Sequence, residues 1–209
     1  MRARSLLVVF LGAALVGGCT TSSAGEPAPK TSNETSSPTS SAEQSEGLPS
    51  DGAPKVANPL DASRFEQNPC PALTSAQAKE LNVVHPGEPY EGRVGNGCEW
   101  QGPDRNGGRA AIEFLSDDRR GMSSVYRSSN RGEFAFFEPL DPVAGHPLAA
   151  FGIADSRESG GYCAVAVGLS DELVATVFLH LSRANIGHKD PCEIGSQVAE
   201  MMLTTMGAS

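Results

Sequence analysis

The most regular pattern of apolar and polar residues lies in the last third of the chain. Between residues 173 and 181 every second side chain is apolar, and Val174 and Phe178 make the other face partly apolar as well. Alternation with a period of two predicts a β-strand, and apolar residues on both faces indicate a central strand that helices cover. Residues 162–167 alternate in the same way, and the segment 168–171 predicts the turn that joins these two strands.

Four further segments predict strands. Residues 98–101 and 109–115 flank a turn rich in Pro, Asn and Gly, and they predict a hairpin with Trp100 in or near the core. The Phe-rich segment 134–137 predicts a strand that prolines end soon afterwards. A tight connection at residues 143–149 leads into another strand.

Helical signals stand near both ends of this part of the chain. Thr74 and Gln77 form a capping-box pattern that predicts a helix over residues 75–81. Pro191 suits the first turn of a last helix. The polar segment 117–132 could also hold a short helix. The sequence therefore predicts a single α+β domain, with an antiparallel sheet of about five or six strands and a helix near each end.

The amino end has the pattern of a secretory signal. Arg2 and Arg4 precede a short apolar run, residues 6–16, and two glycines lead into Cys19. The run is shorter than the roughly twenty apolar residues that a membrane span needs. Two alternatives are an ordinary cleaved signal peptide in which Cys19 is incidental, and a short buried helix.

The position of the cysteine favours a third interpretation. The segment Val-Gly-Gly-Cys ending at Cys19 resembles the bacterial lipobox, although Val16 stands where leucine is commoner. The resemblance implies that Cys19 takes a diacylglyceryl thioether and becomes the first residue of the mature chain. Several acyl chains hold a protein firmly on a membrane. We therefore expect a lipid anchor on the extracytoplasmic face of the cell membrane.

Residues 19–59 are rich in Ser, Thr, Pro and Glu and almost free of large apolar residues. Such a segment buries too little surface to offset its ordering entropy, so we expect a disordered tether with a reach of roughly 35 Å. Asn33 fits the N-linked sequon, but an unmodified spacer is the simpler interpretation. The predicted organisation is a signal peptide (1–18), a tether carrying lipidated Cys19 (19–59) and a disulfide-bearing domain (60–209).

Four cysteines remain once Cys19 is assigned to the lipid, and an even set in an exported chain indicates two disulfides. They are Cys70, Cys98, Cys163 and Cys192. Three connectivities are open from sequence alone, and we favour the pairing of nearest neighbours, Cys70–Cys98 with Cys163–Cys192. No Cys-x-x-Cys spacing indicates zinc.

The charge of the chain argues against one class of partner. The formal net charge of −9 becomes −11 when the leader, which carries two arginines and no acids, is removed. Non-specific nucleic-acid binding depends on neutralising phosphates with Lys and Arg, so we expect no nucleic-acid partner.

The chain contains no G-x-S-x-G, no P-loop and no H-E-x-x-H motif. We therefore expect no cofactor and no metal, and we assign no catalytic residue. His180 on its strand and Glu99 beside Trp100 are more simply a partly buried histidine and an ion-paired carboxylate. Function concentrates on loops over a rigid scaffold, so the loops around residues 86–97 and 117–131 are further places for recognition.

The aromatic residues are the remaining candidates for a binding surface. Phe134, Phe136 and Phe137, with Phe151, could line a ligand groove or a partner surface, and core packing is the alternative.

The order and spacing of several short pieces resemble a family of actinobacterial lipoproteins with a cysteine-containing domain of unknown function. The pieces are Pro-Cys-Pro-Ala-Leu-Thr from residue 69, Cys-Glu-Trp from residue 98, Val-Ala-Gly-His-Pro from residue 143, Tyr-Cys-Ala-Val from residue 162 and Pro-Cys-Glu from residue 191. The likeness spans residues 69–206. It implies an outward-facing, membrane-anchored, disulfide-bearing domain, and it brings no catalytic residues with it.

The sequence thus predicts a non-enzymatic lipoprotein of the cell surface. It would bind or sense an envelope component or an extracellular ligand, held at the membrane through Cys19. One alternative is an envelope hydrolase that uses carboxylates which the sequence cannot place. Another is an accessory partner of a membrane protein.

Overall fold

The computed structural model describes residues 47–92 and 95–208, and these belong to one compact unit of the chain, Ser41–Ser209. The predicted signal peptide, Cys19 and most of the predicted tether lie outside the described residues. The strands are β1 (Glu88–Glu91), β2 (Asn96–Gln101), β3 (Arg109–Leu115), β4 (Phe136–Val143), β5 (His146–Gly152), β6 (Tyr162–Gly168) and β7 (Val174–His180). The helices are α1 (Ser63–Gln67), α2 (Ser75–Glu80), α3 (Met122–Asn130), α4 (Arg157–Gly160) and α5 (Pro191–Met206).

All of these strands form one antiparallel sheet with the order β1-β2-β3-β7-β6-β5-β4. The prediction of an α+β fold built on an antiparallel sheet is confirmed. The strand with the most apolar pattern, β7, lies in the middle of the sheet, as its two apolar faces indicate.

The predicted number of five or six strands is wrong, because the sheet has seven. The additional strand, β1, lies in the segment 86–97 that the sequence assigns to a loop, and only Tyr90 of its four residues is partly buried. The strand β4 also continues through Pro139 and Pro142, past the end that these prolines predict. Both strands are edges of the sheet, and an edge strand needs neither a full set of N–H donors nor an apolar pattern.

One face of the sheet packs against α5 and the shorter helices at the start of the domain. We call it the helix-covered face. Its core includes Trp100, Ile112 and Phe114 from the sheet and Val198, Met202 and Leu203 from α5, all fully buried. Trp100 lies in the core, as the hairpin pattern predicts.

The last helix begins at Pro191, as predicted, and the residue before it caps the helix. The Asp190 carboxylate caps it by accepting a hydrogen bond of 2.7 Å from the Cys192 N–H, and Pro191 occupies the first turn. Gly195 lets the helix approach the sheet closely, since a Cβ atom there would lie 2.9 Å from a methyl group of Val165. Within the described residues, no helix combines the length and apolar character that crossing a membrane requires.

Two disulfides join the four cysteines, and they confirm the prediction that the set is oxidised. Cys70 pairs with Cys98 and Cys163 pairs with Cys192, which is the nearest-neighbour pairing. The first disulfide ties the start of the domain to β2, and the second ties the interior strand β6 to the first turn of α5. Each therefore fastens a helical segment to the sheet.

The opposite face of the sheet, which we call the open face, carries α3. Met122 and Val125 of this helix pack on Ala149, Ala166 and Val174. Helix α3 is longer than the short helix that the polar segment predicts. It occupies most of the segment 117–131, which the sequence assigns to an exposed loop.

The first described residues run along α3 and belong to the folded unit. The Ser50 N–H donates to the hydroxyl of Ser123 at 2.8 Å, and the Asp51 carboxylate lies 3.4 Å from the Arg127 guanidinium. Val56 is 2% exposed. Residues 47–59 of the predicted tether are therefore packed against the domain, because one apolar side chain and a few hydrogen bonds suffice to hold them.

Candidate functional site

The open face concentrates aromatic side chains that are only partly buried. Register and packing place seven of them on this face, and each has intermediate exposure. They are Tyr90, Tyr126, Phe134, Phe137, Phe151, Tyr162 and Phe178. By contrast, Trp100 and Phe114 on the helix-covered face are completely buried. Large aromatic groups that keep contact with solvent on one side of a sheet are typical of a recognition surface.

Four of these residues form an aromatic cluster beside α3: Tyr126, Phe134, Phe137 and Phe151. The ring of Tyr126 meets that of Phe137 edge-on, with centroids 4.9 Å apart. The Phe134 and Phe151 centroids are 4.6 Å apart. Such contacts stabilise the cluster by about 0.5–1.5 kcal/mol per pair beyond burial, so its rings form a fixed platform.

The candidate surface predicted from Phe134, Phe136 and Phe137 is only partly assembled. Phe134 and Phe137 join the aromatic cluster. Phe136 packs with the helix-covered core instead, beneath the Arg157 guanidinium at 3.9 Å from its ring centroid. The reason is that neighbouring residues of a strand point to opposite faces. Phe151, the fourth residue of the predicted group, completes the cluster in place of Phe136.

Phe178 continues the aromatic surface across the middle of the sheet. Its strand neighbours are Ala111 on β3 and Ala164 on β6. These small side chains do not overlap the Phe178 ring, which stays half-buried in the central strand. Ala164 in turn pairs with Phe151 of the aromatic cluster. Phe178 therefore links the aromatic cluster to the polar half of the face.

The polar half begins with Tyr90 and Glu113. The Tyr90 hydroxyl donates to a carboxylate oxygen of Glu113 at 3.3 Å. Burial, and then the nearby Glu113 charge, raise the pKa of Tyr90 well above its usual range. Glu113 is only 8% exposed. Tyr90 therefore remains a neutral donor whose position Glu113 holds.

A second pair lies on the neighbouring strands. The Arg109 guanidinium is 3.3 Å from the Glu99 carboxylate, and the Gln101 side chain donates to the same carboxylate at 2.7 Å. The ion pair expected for Glu99 is present. The Arg109 and Glu99 side chains are 45% and 25% exposed to solvent. An ion pair in contact with water contributes little to stability, and the polar atoms of this pair border the open face.

His180 and Tyr162 meet where β6 and β7 pair, with ring centroids 4.6 Å apart. Burial, and then the charge of Arg109, lower the pKa of His180. Burial likewise raises the pKa of Tyr162. Both rings are therefore uncharged near neutral pH, as expected for a partly buried strand histidine.

His146 is the one buried histidine among the described residues. His146 begins β5, and its Nδ1 atom lies 2.8 Å from the backbone carbonyl oxygen of Gly168 at the end of β6. This contact supports the turn between β4 and β5. His85 and His188 are exposed on connections. None of these three lies on the open face.

Sequence reasoning misses most of the polar half because its residues come from β1, β2, β3, β6 and β7. One signal was present: Glu113 is a charged residue inside the otherwise apolar segment 110–115. Together the two halves can hold a ligand by stacking on rings and by hydrogen bonding to fixed donors and acceptors. Glu99 and Glu113 also bring two carboxylates to neighbouring strands of one face.

Comparison with known proteins yields one match. A family model with the description "Protein of unknown function (DUF3558)" matches residues 14–205. No curated protein and no solved structure matches the chain.

Proposed function

The chain belongs to the DUF3558 family of proteins of unknown function, and from its own residues we propose that it is a lipoprotein of the cell surface whose open face binds a component of the cell envelope. The observation that carries the binding role is the set of seven half-buried aromatic side chains on one face of the sheet. The binding is non-enzymatic.

The proposed location rests on the amino end and the cysteines. The arginines, the apolar run and the Gly-Gly-Cys19 segment have the order of a lipoprotein signal. Two disulfides suit a protein that folds outside the cytoplasm. A lipid on Cys19 and a tether of Ser, Thr and Pro would hold the domain close to the envelope polymers.

The chemistry of the open face favours a sugar-containing ligand. The faces of aromatic rings are negative and attract the C–H groups of a sugar ring. Glu99, Arg109 and the Tyr90 hydroxyl add fixed hydrogen-bonding groups at one side of the same face. A surface with stacking platforms and a few fixed polar groups is suited to a polymer of rings and hydroxyls.

The anchor is tested by Cys19→Ala in the native cell. We expect the variant to move from the membrane fraction to the soluble fraction, because no acyl chain can then be attached. A variant that stays in the membrane fraction would exclude lipid anchoring through this residue.

The binding role is tested with the Cys19→Ala chain and isolated envelope fragments in a sedimentation assay. Phe137→Ala and Phe178→Ala remove rings from the open face, and each should weaken retention about tenfold, the effect of a modest interface anchor. Phe136→Ala is the matched control, since it removes a half-buried ring from the opposite face. Equal retention of all three variants would contradict the proposal, provided that their circular dichroism spectra match.

Glu99 and Glu113, which lie on neighbouring strands of the open face, favour one second candidate, an envelope hydrolase that uses these two carboxylates. Glycoside hydrolysis needs a pair of carboxyl groups about 5–10 Å apart across a substrate bond. Release of soluble sugar fragments from envelopes, abolished by Glu113→Gln, would support this candidate. Retention without fragment release would support the binding module.

A further inference from the structure

A cavity of about 330 Å³ lies at the end of the sheet where the β2–β3 turn meets the segment after β7. Gln101, Arg109 and His180 line it, and these residues also belong to the polar half of the open face. The cavity and the open face are therefore continuous, so one ligand could contact both.

Three arginines line this cavity: Arg105, Arg109 and Arg183. Arg109 shares its charge with Glu99, whereas no carboxylate of the described residues lies within 4.0 Å of Arg105 or Arg183. The single acidic side chain in the lining is Asp104, whose carboxylate accepts a hydrogen bond of 2.8 Å from the Asn106 N–H of its own turn. The cavity thus has an excess of positive charge in a chain whose formal net charge is −9.

Backbone contacts hold the two loops that carry these arginines. In the β2–β3 turn the Gly102 N–H donates to the Gly108 carbonyl oxygen at 2.7 Å. Gly102 and Gly107 approach so closely that a Cβ atom on Gly102 would lie 2.6 Å from the Gly107 Cα. The second loop is attached to the first, because the Arg183 N–H donates to the Asn106 carbonyl oxygen at 3.0 Å. The positions of the two cationic loops are therefore set before any ligand binds, which lowers the entropy cost of binding.

We propose that this cavity binds an anionic group, a carboxylate or a phosphate ester, carried by the ligand of the open face. Guanidinium groups suit both anions because they donate paired hydrogen bonds in a planar fork. The anion site itself stands on the cavity and its arginines. Its assignment to the same ligand rests on the proposed function.

The anion site is tested by NMR titration of the isotopically labelled Cys19→Ala chain with inorganic phosphate, glucose 6-phosphate and glucuronate. We expect saturable shifts of the backbone amides of residues 102–109 and 180–186, and none with glucose. Preference for glucuronate or for glucose 6-phosphate tells a carboxylate ligand from a phosphate ligand. Arg105→Gln and Arg183→Gln should each weaken binding about tenfold, as expected for loss of a charge-assisted contact. Arg131→Gln, which removes an exposed arginine elsewhere, is the control.

The pKa of His180 is a second readout, and it should not change on addition of the anion if the arginines only stabilise the fold. Its charged neighbours in the anion cavity and on the open face are Arg105, Arg109, Arg183, Asp104 and Glu99. Glu80 and Lys189 line a second cavity beside it, and the ring of Tyr162 is in contact with it. A bound anion favours the protonated ring, so it should raise the pKa of His180 in the wild-type chain and less in Arg183→Gln.

Shifts that sodium chloride reproduces at equal ionic strength, or binding that survives both arginine substitutions, would overturn the anion site. The outcome is separable from that of the envelope assay. Saturable anion binding with unchanged envelope retention of Phe178→Ala would keep the site and reject the proposed function. Loss of envelope retention in Phe178→Ala, with no anion binding to the wild-type domain, would reject the anion site and keep the proposed function.

Discussion

The two disulfides provide the prediction whose size follows most directly from the structure. They close separate loops with sequence separations of 28 and 29 residues. In the chain-entropy model each loop of this length stabilises the folded state by about 3.6 kcal/mol. The loops do not overlap along the chain, so their contributions should add.

The corresponding variants are the pairs Cys70→Ala with Cys98→Ala and Cys163→Ala with Cys192→Ala. Each pair should lower the free energy of unfolding by about 3–4 kcal/mol and the Tm by about 7–14 °C for a domain of this size. The second pair should cost about 1 kcal/mol more. Cys163 and Cys192 are both buried, so their substitution deletes two sulfur atoms from the core, whereas Cys70 of the first pair is only half-buried.

Removing all four cysteines should cost about 8 kcal/mol, which is comparable with the whole stability of a typical domain, about 5–15 kcal/mol. We therefore expect each pair variant to be folded at 25 °C and the quadruple variant to be largely unfolded. This difference would make oxidation a condition for folding, in agreement with the proposed export.

The assay is urea denaturation followed by far-ultraviolet circular dichroism, with the fluorescence of Trp100, the only tryptophan of the chain, as a second probe. Equal transitions with both probes would justify a two-state analysis. A loss below about 1 kcal/mol in either pair variant would refute the loop-entropy reasoning. A quadruple variant as stable as either pair variant would refute the additivity.

Two further predictions concern stability. Gly195→Ala should destabilise the domain by about 1–2 kcal/mol in urea denaturation, because crowding against the stiff Val165 side chain outweighs the gain in helix propensity; a more stable variant would contradict this close contact. In the folded state the pKa of His180 lies below its usual 6.5, so His180 of the unfolded chain takes up a proton at a higher pH than His180 of the folded chain. The folded state therefore loses stability as the pH falls from about 6.5 through the folded-state pKa. His180→Gln should flatten the stability profile between pH 7.5 and pH 5, and an unchanged profile would assign the pH dependence to other groups.

Helices α2 and α5 were predictable because their signals are local, whereas α1 and α4 were not predicted. The capping box at α2 is present, with the Gln77 N–H donating to the Thr74 hydroxyl at 3.3 Å and the Thr74 N–H donating to the Gln77 side chain at 2.7 Å. Asp190 and Pro191 begin α5 in the same way. A capping residue acts on atoms within three or four positions along the chain, so the sequence contains the whole interaction.

The edge strands were not predictable from the same kind of pattern. β1 has the sequence Glu-Pro-Tyr-Glu, and β4 contains two prolines. Such segments become strands only because a neighbouring strand presents backbone N–H and C=O groups that can pair with them. The local sequence preference contains no information about that neighbour. The central strand β7 was predictable because burial on both faces requires apolar residues at nearly every position.

The candidate site divides in a similar way. A run of phenylalanines at residues 134–137 indicates an aromatic surface, but the alternation of the strand sends Phe136 to the opposite face. The polar half could not be assembled from the sequence at all. Tyr90 and Glu113 are 23 positions apart and meet only through the pairing of β1, β2 and β3.

The sequence by itself determined the α+β class, the central strand, the capped helices and the even set of cysteines, since these depend on composition and on neighbours within a few residues. Only the tertiary structure decided the pairing of the cysteines, the edge strands and the composition of the open face. These depend on strand order, and strand order is a balance of burial over the whole domain that no short segment of the chain contains.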